Sequence, residues 1–517
     1  MGISIRDSSG SDARTISSTP TDPTRTNSPV DYAVFLQNVR RDYDRAEAMY
    51  ERAIEANPNH ANSLGNYAWF LQNIRRDHDR AEAMYERAIE ANPLNADNLG
   101  NYAWFLQNIR RDHDRAEAMY ERAIEADPNH ANSLGNYAIF LQNIRRDHDR
   151  AEAMYERAIE ADPLNADSLG NYAWFLHDVR RDHDRAEAMY ERAIEADPNH
   201  ANNLDGYAIF LQNIRRDHDR AETMYERAIE ADPLNADSLG NYAWFLHDVR
   251  RDHDRAEAMY ERAIEADPNH ANNLDGYAIF LQNIRRDHDR AETMYERAIE
   301  ADPNHADSLG NYAWFLHDVR RDHDRAEAMY ERAVKADPLN ANNLGNYAWF
   351  LQNIRRDHDR AETMYERAIE ADPNHANSLG NYAWFLHDVR RDHDRAEAMY
   401  ERAVKADPLN ANNLGNYAWF LQNIRRDHDR AEAMYEWAIE ADPNHANSLG
   451  DYAVFLQNIR RDHDRAETMY ERAIKANPNH AHNLRNYACF LEKIRRDHDR
   501  AEAMYERAIE ADPNHGQ

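Results

Sequence analysis

The 517-residue chain contains a single cysteine, Cys489, which excludes a disulfide framework and any zinc site built on cysteine. No run approaches the roughly 18 apolar residues of a membrane-spanning helix. There is no Asn-x-Ser/Thr sequon, no Gly-rich phosphate loop, no His-Glu-x-x-His and no Gly-x-Ser-x-Gly. Glycine is scarce, at 15 residues, and none of it builds a Gly/Ser linker that would divide the chain into beads. The first residues lack a secretory apolar region, and Met1-Gly2 is followed by Arg6 where a myristoylation signal needs Ser or Thr. The expected location is the cytoplasm.

Positive charge is also in deficit, with 63 Lys+Arg against 94 Asp+Glu and a net charge of -31 at pH 7. The deficit is spread evenly. Between Asn66 and Gly100, Arg75, Arg76, Arg80 and Arg87 face Asp77, Asp79, Glu82, Glu86, Glu90 and Asp97. Such a body disfavours phosphate backbones and anionic membranes and favours basic partners. Proteins or peptides are therefore the expected partners, and neither nucleic acid nor membrane is.

The abundant feature of the chain is one repeat. Of its 17 prolines, 14 lie on a single lattice, from Pro58, Pro93 and Pro128 to Pro513, one every 35 residues. From Ala61 to Asn95, the residues Leu64, Tyr67, Ala68, Leu71 and Ile74 share one helix face. Arg75-Arg76-Asp77 breaks that pattern, and Asp77 can cap a second helix. Ala81, Met84, Tyr85, Ala88 and Ile89 mark that helix, with Asp79 and Glu82 in its first turn and Pro93 beyond its end. Neither helix can bury its stripe alone, whereas stacked neighbours can. Glu82, Glu86 and Glu90 fall on the outer face of the second helix and read as a solvated surface. Residues 1–27 are rich in Ser, Thr, Asp and Arg and are expected to be disordered. Ser28-Pro29 then opens the first helix, and 28–517 reads as one continuous array.

A longer period overlies the short one. Ser168–Asp237 and Ser238–Asp307 are identical except at the Pro-Leu-Asn or Pro-Asn-His connector near their ends. Copies this alike point to a line of equivalent sites. Acids and histidines recur in nearly every repeat, whereas an active site is singular, so the chain is not expected to be an enzyme or to hold a cofactor or metal. Asp77-His78-Asp79 has ligand-type side chains. Capping by Asp77 and packing by His78 account for that turn, since Tyr43 stands at the His78 position in the first repeat.

The face of the first helix opposite its core is the candidate binding surface. With Leu64 at zero and about 100° per residue, Asn62, Asn66, Trp69 and Asn73 gather opposite the apolar stripe. The tryptophan recurs as Trp104, Trp174, Trp244, Trp314, Trp349, Trp384 and Trp419. The asparagine recurs with it as Asn101, Asn171, Asn241, Asn311, Asn346, Asn381 and Asn416. Trp offers flat apolar area, and Asn bonds a peptide backbone as donor and acceptor. The competing reading wedges each Trp between adjacent helices as wall packing.

The repeat resembles the tetratricopeptide repeat. The family's eight signature positions fall on Leu64, Tyr67, Ala68, Leu71, Ala81, Tyr85, Ala88 and Pro93. The second half matches well, whereas the first has Leu64 for the usual Trp and Ala68 for the usual Gly. The period is 35 residues against the family's usual ~34, with the extra residue near the turn between helices. The resemblance implies an all-α solenoid of fourteen stacked helix-turn-helix repeats forming a right-handed superhelix, whose first helices line a concave groove. Pentatricopeptide repeats share the 35-residue length and bind single-stranded RNA, and half-a-TPR repeats share the Tyr-Glu-Arg-Ala of Tyr85 to Ala88. The acidic charge and the connectors favour the tetratricopeptide reading. The implied function is a non-catalytic protein–protein interaction scaffold that takes extended peptide or protein partners in the groove. Two alternatives stand beside it. One is a self-assembling head-to-tail filament, in which Met504, Tyr505 and Ile509 of the last helix meet Tyr32, Phe35 and Leu36 of the first. The other is an RNA-binding or RNA-processing helical-repeat scaffold.

Overall fold

The computed structural model describes residues 29–512. Residues 1–27 and Ser28, expected to form a disordered tail and a first cap, lie outside the described residues. Twenty-eight α-helices succeed one another, and no strand occurs among the described residues. A short helix A, such as Ala61–Phe70, alternates with a 14-residue helix B, such as His78–Ala91. The helices fall into two compact units, Met1–Arg251 and Asp252–Gln517. The first holds six hairpins followed by a helix A, Ala236–Phe245; the second opens with a helix B, His253–Ala266, followed by seven hairpins.

Helices of both kinds begin on a side-chain cap. The Asp77 carboxylate accepts the Arg80 backbone N–H at 3.2 Å, as the sequence predicts. Helix A is capped by either form of the connector. His60 Nδ1 accepts from Ser63 N–H at 3.3 Å, and Asn95 Oδ1 accepts from Asn98 N–H at 2.9 Å. The two connectors are thus interchangeable because both end on an acceptor.

Helix A finishes in a wide π-helical turn, Leu71–Arg75. The Leu71 carbonyl accepts from Arg76 N–H and, at 3.0 Å, from Asp77 N–H. A π turn adds one residue to a helix, and this turn lies where the period gains its extra residue. Arg76 leaves it in the left-handed region at φ 55°, and its thirteen equivalents from Arg41 to Arg496 do the same.

The core lies on the predicted stripes. Leu64, Ala68, Leu71, Ala81, Tyr85 and Ala88 have no measurable exposure, and Tyr67 has 4%. Tyr85 stacks on Tyr102 of the next repeat at 5.6 Å and meets Phe105 at 5.6 Å. Successive A helices touch through a glycine. Asn98 donates to the Ala61 carbonyl of the preceding helix at 3.1 Å, and a Cβ on Gly65 would lie 2.0 Å from Asn98 Oδ1. That close approach requires glycine.

Candidate functional site

The acidic face of helix B is solvated only in part: Glu90 is exposed with no ion pair among the described residues, as the sequence suggests, whereas Glu82 and Glu86 meet arginines of the next repeat. Arg110 of the next repeat bonds Glu82 at 2.7 Å and Asp79 at 2.6 Å. Arg115 bonds Glu82 at 3.1 Å and Glu86 at 3.2 Å. The Tyr102 hydroxyl reaches both glutamates at 3.2 Å and also accepts from Arg115. The two guanidinium groups lie over the Phe105 and Tyr102 rings at 5.5 and 5.6 Å. Burial, reinforced by Glu82, holds the Tyr102 hydroxyl well above its ordinary pKa. The stretch of helix B that carries Asp79, Glu82 and Glu86 is therefore the seam between repeats. Its signal in the sequence is an acid and a base 28 or 33 residues apart, a spacing that is meaningful only once the repeats are stacked.

Helix A presents the predicted tryptophans half-buried in every case. In the first unit, Trp69 and Trp104 occupy successive repeats, while Trp174 and Trp244 stand apart, with Ile209 between them. Trp174 and Trp244 each pack edge-on against the histidine three residues on, His177 and His247, at 5.2 Å. Burial lowers the His177 pKa to about 4.

In the second unit, Trp314, Trp349, Trp384 and Trp419 occupy four successive repeats. They form two closed clusters. Trp314 and Trp349 lie 5.5 Å apart with His317 5.3 Å from Trp349. Trp384 and Trp419 lie 5.4 Å apart with His387 5.5 Å from Trp419. Burial lowers the pKa of both histidines.

Between the clusters the corresponding residue is Gln352, and there a cleft of about 230 Å³ opens. Its lining is Trp349, Gln352, Asn353, Tyr365, Asn381, Trp384 and Asn416, all uncharged. The Tyr365 hydroxyl donates to Gln352 Oε1 at 3.0 Å, and Asn353 donates to the Trp349 carbonyl at 3.0 Å. The structure thus brings four of the sequence-predicted residues, Trp349, Trp384, Asn381 and Asn416, into one cleft. Asn353 is the equivalent of Asn73 on the predicted face, whereas Gln352 had no place in the sequence-level site. Its signal was the alternation of Leu-Gln-Asn with Leu-His-Asp in helix A.

The predicted asparagines divide. Asn66, Asn101 and Asn346 are half-buried and Asn171 is exposed on the same face. Asn241 and Asn311 instead donate to buried carboxylates of the preceding helix A, Asp205 at 3.0 Å and Asp275 at 2.8 Å. Those aspartates stand where other repeats have glycine. Burial raises the Asp275 pKa to about 7. Among the described residues, no group of three or more His, Cys, Asp or Glu is placed to hold a metal. His78 packs 6.4 Å from the Phe105 ring. No helix of the described residues is long and apolar enough to cross a membrane.

Capped hairpins stacked through repeating seams define a helical-repeat solenoid protein. The tetratricopeptide-repeat profiles match residues 145–201, 215–271, 285–342 and 355–412, and residues 84–118 and 119–153. A further profile, described as TmcB, TPR repeats, matches 32–98 and 455–517. The chain belongs to the tetratricopeptide-repeat family. No curated protein matches it by sequence. Among solved structures it is similar to the APC/C hetero-tetramer Cut9-Hcn1, at 13% identity and a TM-score of 0.58 over 94% of each chain. Yeast Tom70 aligns at 17% identity and a TM-score of 0.44 over 84% of this chain and 99% of that one. At these identities the likeness to Cut9-Hcn1 is one of fold.

Proposed function

We propose that the chain is a non-catalytic scaffold that holds an extended peptide segment of a partner protein along its A helices. The observation that carries this reading is the cleft between Trp349 and Trp384. Two indole walls and a floor of carboxamides suit a side chain held in the cleft and a peptide backbone bonded at its rim. The side chains of Asn381 and Asn416 make no hydrogen bond among the described residues, so both carboxamides are available. The acidic charge of the whole chain disfavours RNA and anionic lipid as occupants. The non-catalytic part of the reading is supported by the recurrence of the acids and histidines from repeat to repeat, many of them in seams, caps and ring packing. Selection of a randomised peptide library on the full chain tests the proposal. Enriched peptides should lose binding to the Trp349→Ala/Trp384→Ala variant while its thermal stability changes little. No enrichment, or binding indifferent to both substitutions, ends the proposal.

A further inference from the structure

We propose that the cleft between Trp349 and Trp384 selects an aromatic side chain flanked on both sides by basic residues a few positions away. The proposal deepens the peptide-scaffold reading and rests on it.

The central preference comes from the lining. The space of about 230 Å³ is sized for one large side chain and is bounded by two indoles with no charged group. A planar ring between indole walls gains offset-stacked or edge-on contacts that an aliphatic chain does not. The carboxamides of Gln352, Asn381 and Asn416 at the floor and rim suit the peptide groups on either side of that ring.

The flanking preference comes from register. Asn353 lines the cleft. The residues at its position in the preceding and following repeats are Asp318 and Asp388. Both are exposed, and neither forms an ion pair among the described residues. They differ in this from the helix B acids at the positions of Asp79, Glu82 and Glu86, which the neighbouring arginines engage. Packed helices lie roughly 10 Å apart, and an extended chain advances about 3.3 Å per residue. Asp388 shares its helix with Trp384, one wall of the cleft, and Asp318 lies one helix before Trp349, the other wall, so basic side chains a few residues to either side of the ring reach the two carboxylates. The cleft thus sits uncharged between two free negative charges, which fits a cation on each side of the ring.

Titration of the full chain with three synthetic peptides tests the proposal. The probes are Arg-Ser-Gly-Tyr-Gly-Ser-Arg, the same peptide with Ala in place of Arg, and the same with Glu in place of Arg. The Arg-flanked peptide should bind at least about ten-fold more tightly than the Ala-flanked one, and the Glu-flanked one more weakly still. Asp318→Asn/Asp388→Asn should erase the difference between Arg and Ala flanks and leave the Ala-flanked affinity unchanged. Salt near 1 M, where the Debye length is about 3 Å, should do the same. Equal affinity of the Arg- and Ala-flanked peptides in the parent chain overturns the proposal and leaves the scaffold reading standing. Binding that survives Trp349→Ala/Trp384→Ala, or no binding of any peptide, overturns both.

Discussion

Two A helices of the second unit, with the π turns that end them, differ at three positions. Ala271–Arg285 carries Asp275, Gly276 and Ile279 where Ala341–Arg355 carries Gly345, Asn346 and Trp349. Their backbones run alike, from a connector cap through an α-helix into the same π turn. Their surfaces do not. Asp275 is buried and holds Asn311 of the next repeat. Gly345 instead admits Ser378, whose Oγ lies 2.5 Å from where a Cβ would be. The asparagine of that next helix, Asn381, is left to line the cleft beside Trp349. One helix turns its polar groups inward and the other turns them out. Stacked neighbours fix the backbone of each repeat so fully that the exposed face can change without altering the fold.

The largest effect expected from this contrast is on the pH axis. Burial raises the Asp275 pKa from 3.8 to about 7, so the folded chain keeps a proton that the unfolded chain releases. The stability contributed by the protonated form is complete below 3.8, declines above it and is lost as pH rises through about 7, a change on the order of 4 kcal/mol. The urea midpoint should fall between about pH 4 and pH 7, and Asp275→Asn should make that slope shallower, the remainder coming from Asp451, whose pKa burial raises to about 6. A parent chain and variant with the same slope would contradict the burial argument.

Transplanting the inward arrangement is the next test. Gly345→Asp should capture Asn381 as Asp275 captures Asn311, since Ser378 stands where Ser308 does. Peptide affinity should drop about ten-fold through loss of one rim amide, and a second pH slope should appear. Unchanged affinity would show that Asn381 takes no part in binding.

A smaller effect separates the Gln repeats from the His repeats. Tyr365 donates to Gln352 at 3.0 Å, whereas the buried hydroxyl of Tyr330, in the His317 repeat, has no partner among the described residues. Tyr365→Phe should destabilise by about 1 kcal/mol, and Tyr330→Phe should be neutral or slightly stabilising. Equal losses in chemical denaturation would contradict this difference. Smallest is the acid side of the same contrast. Burial lowers the His317 and His387 pKa values, so the stability of their neutral forms is lost as pH falls below the ordinary histidine value. His317→Gln/His387→Gln should flatten that decline, which runs opposite in sign to the Asp275 effect.

The fold was legible because its signals are local. Asp77 caps within three residues, the stripes of Leu64, Tyr67 and Leu71 or Ala81, Tyr85 and Ala88 repeat at helical spacing, and Pro93 stands just past the end of the second helix. The candidate face was legible as a stripe of Trp and Asn, but not its organisation. The pairing of Glu82 and Glu86 was hidden because their partners, Arg110 and Arg115, lie 28 to 33 residues away. The role of Gly65 was hidden for the same reason, since the group it makes room for is Asn98 on the next helix.

The sequence by itself determined the helices, their caps, their inward faces and their number, because each depends on residues within a turn or two of one another. Tertiary structure alone decided which charges are paired and which amides are held inside. It also decided that a cleft opens beside Gln352 while the tryptophans around His317 and His387 close on each other. Those outcomes depend on side chains a full repeat apart, and only stacking brings them within the few ångströms over which hydrogen bonds and ring contacts act.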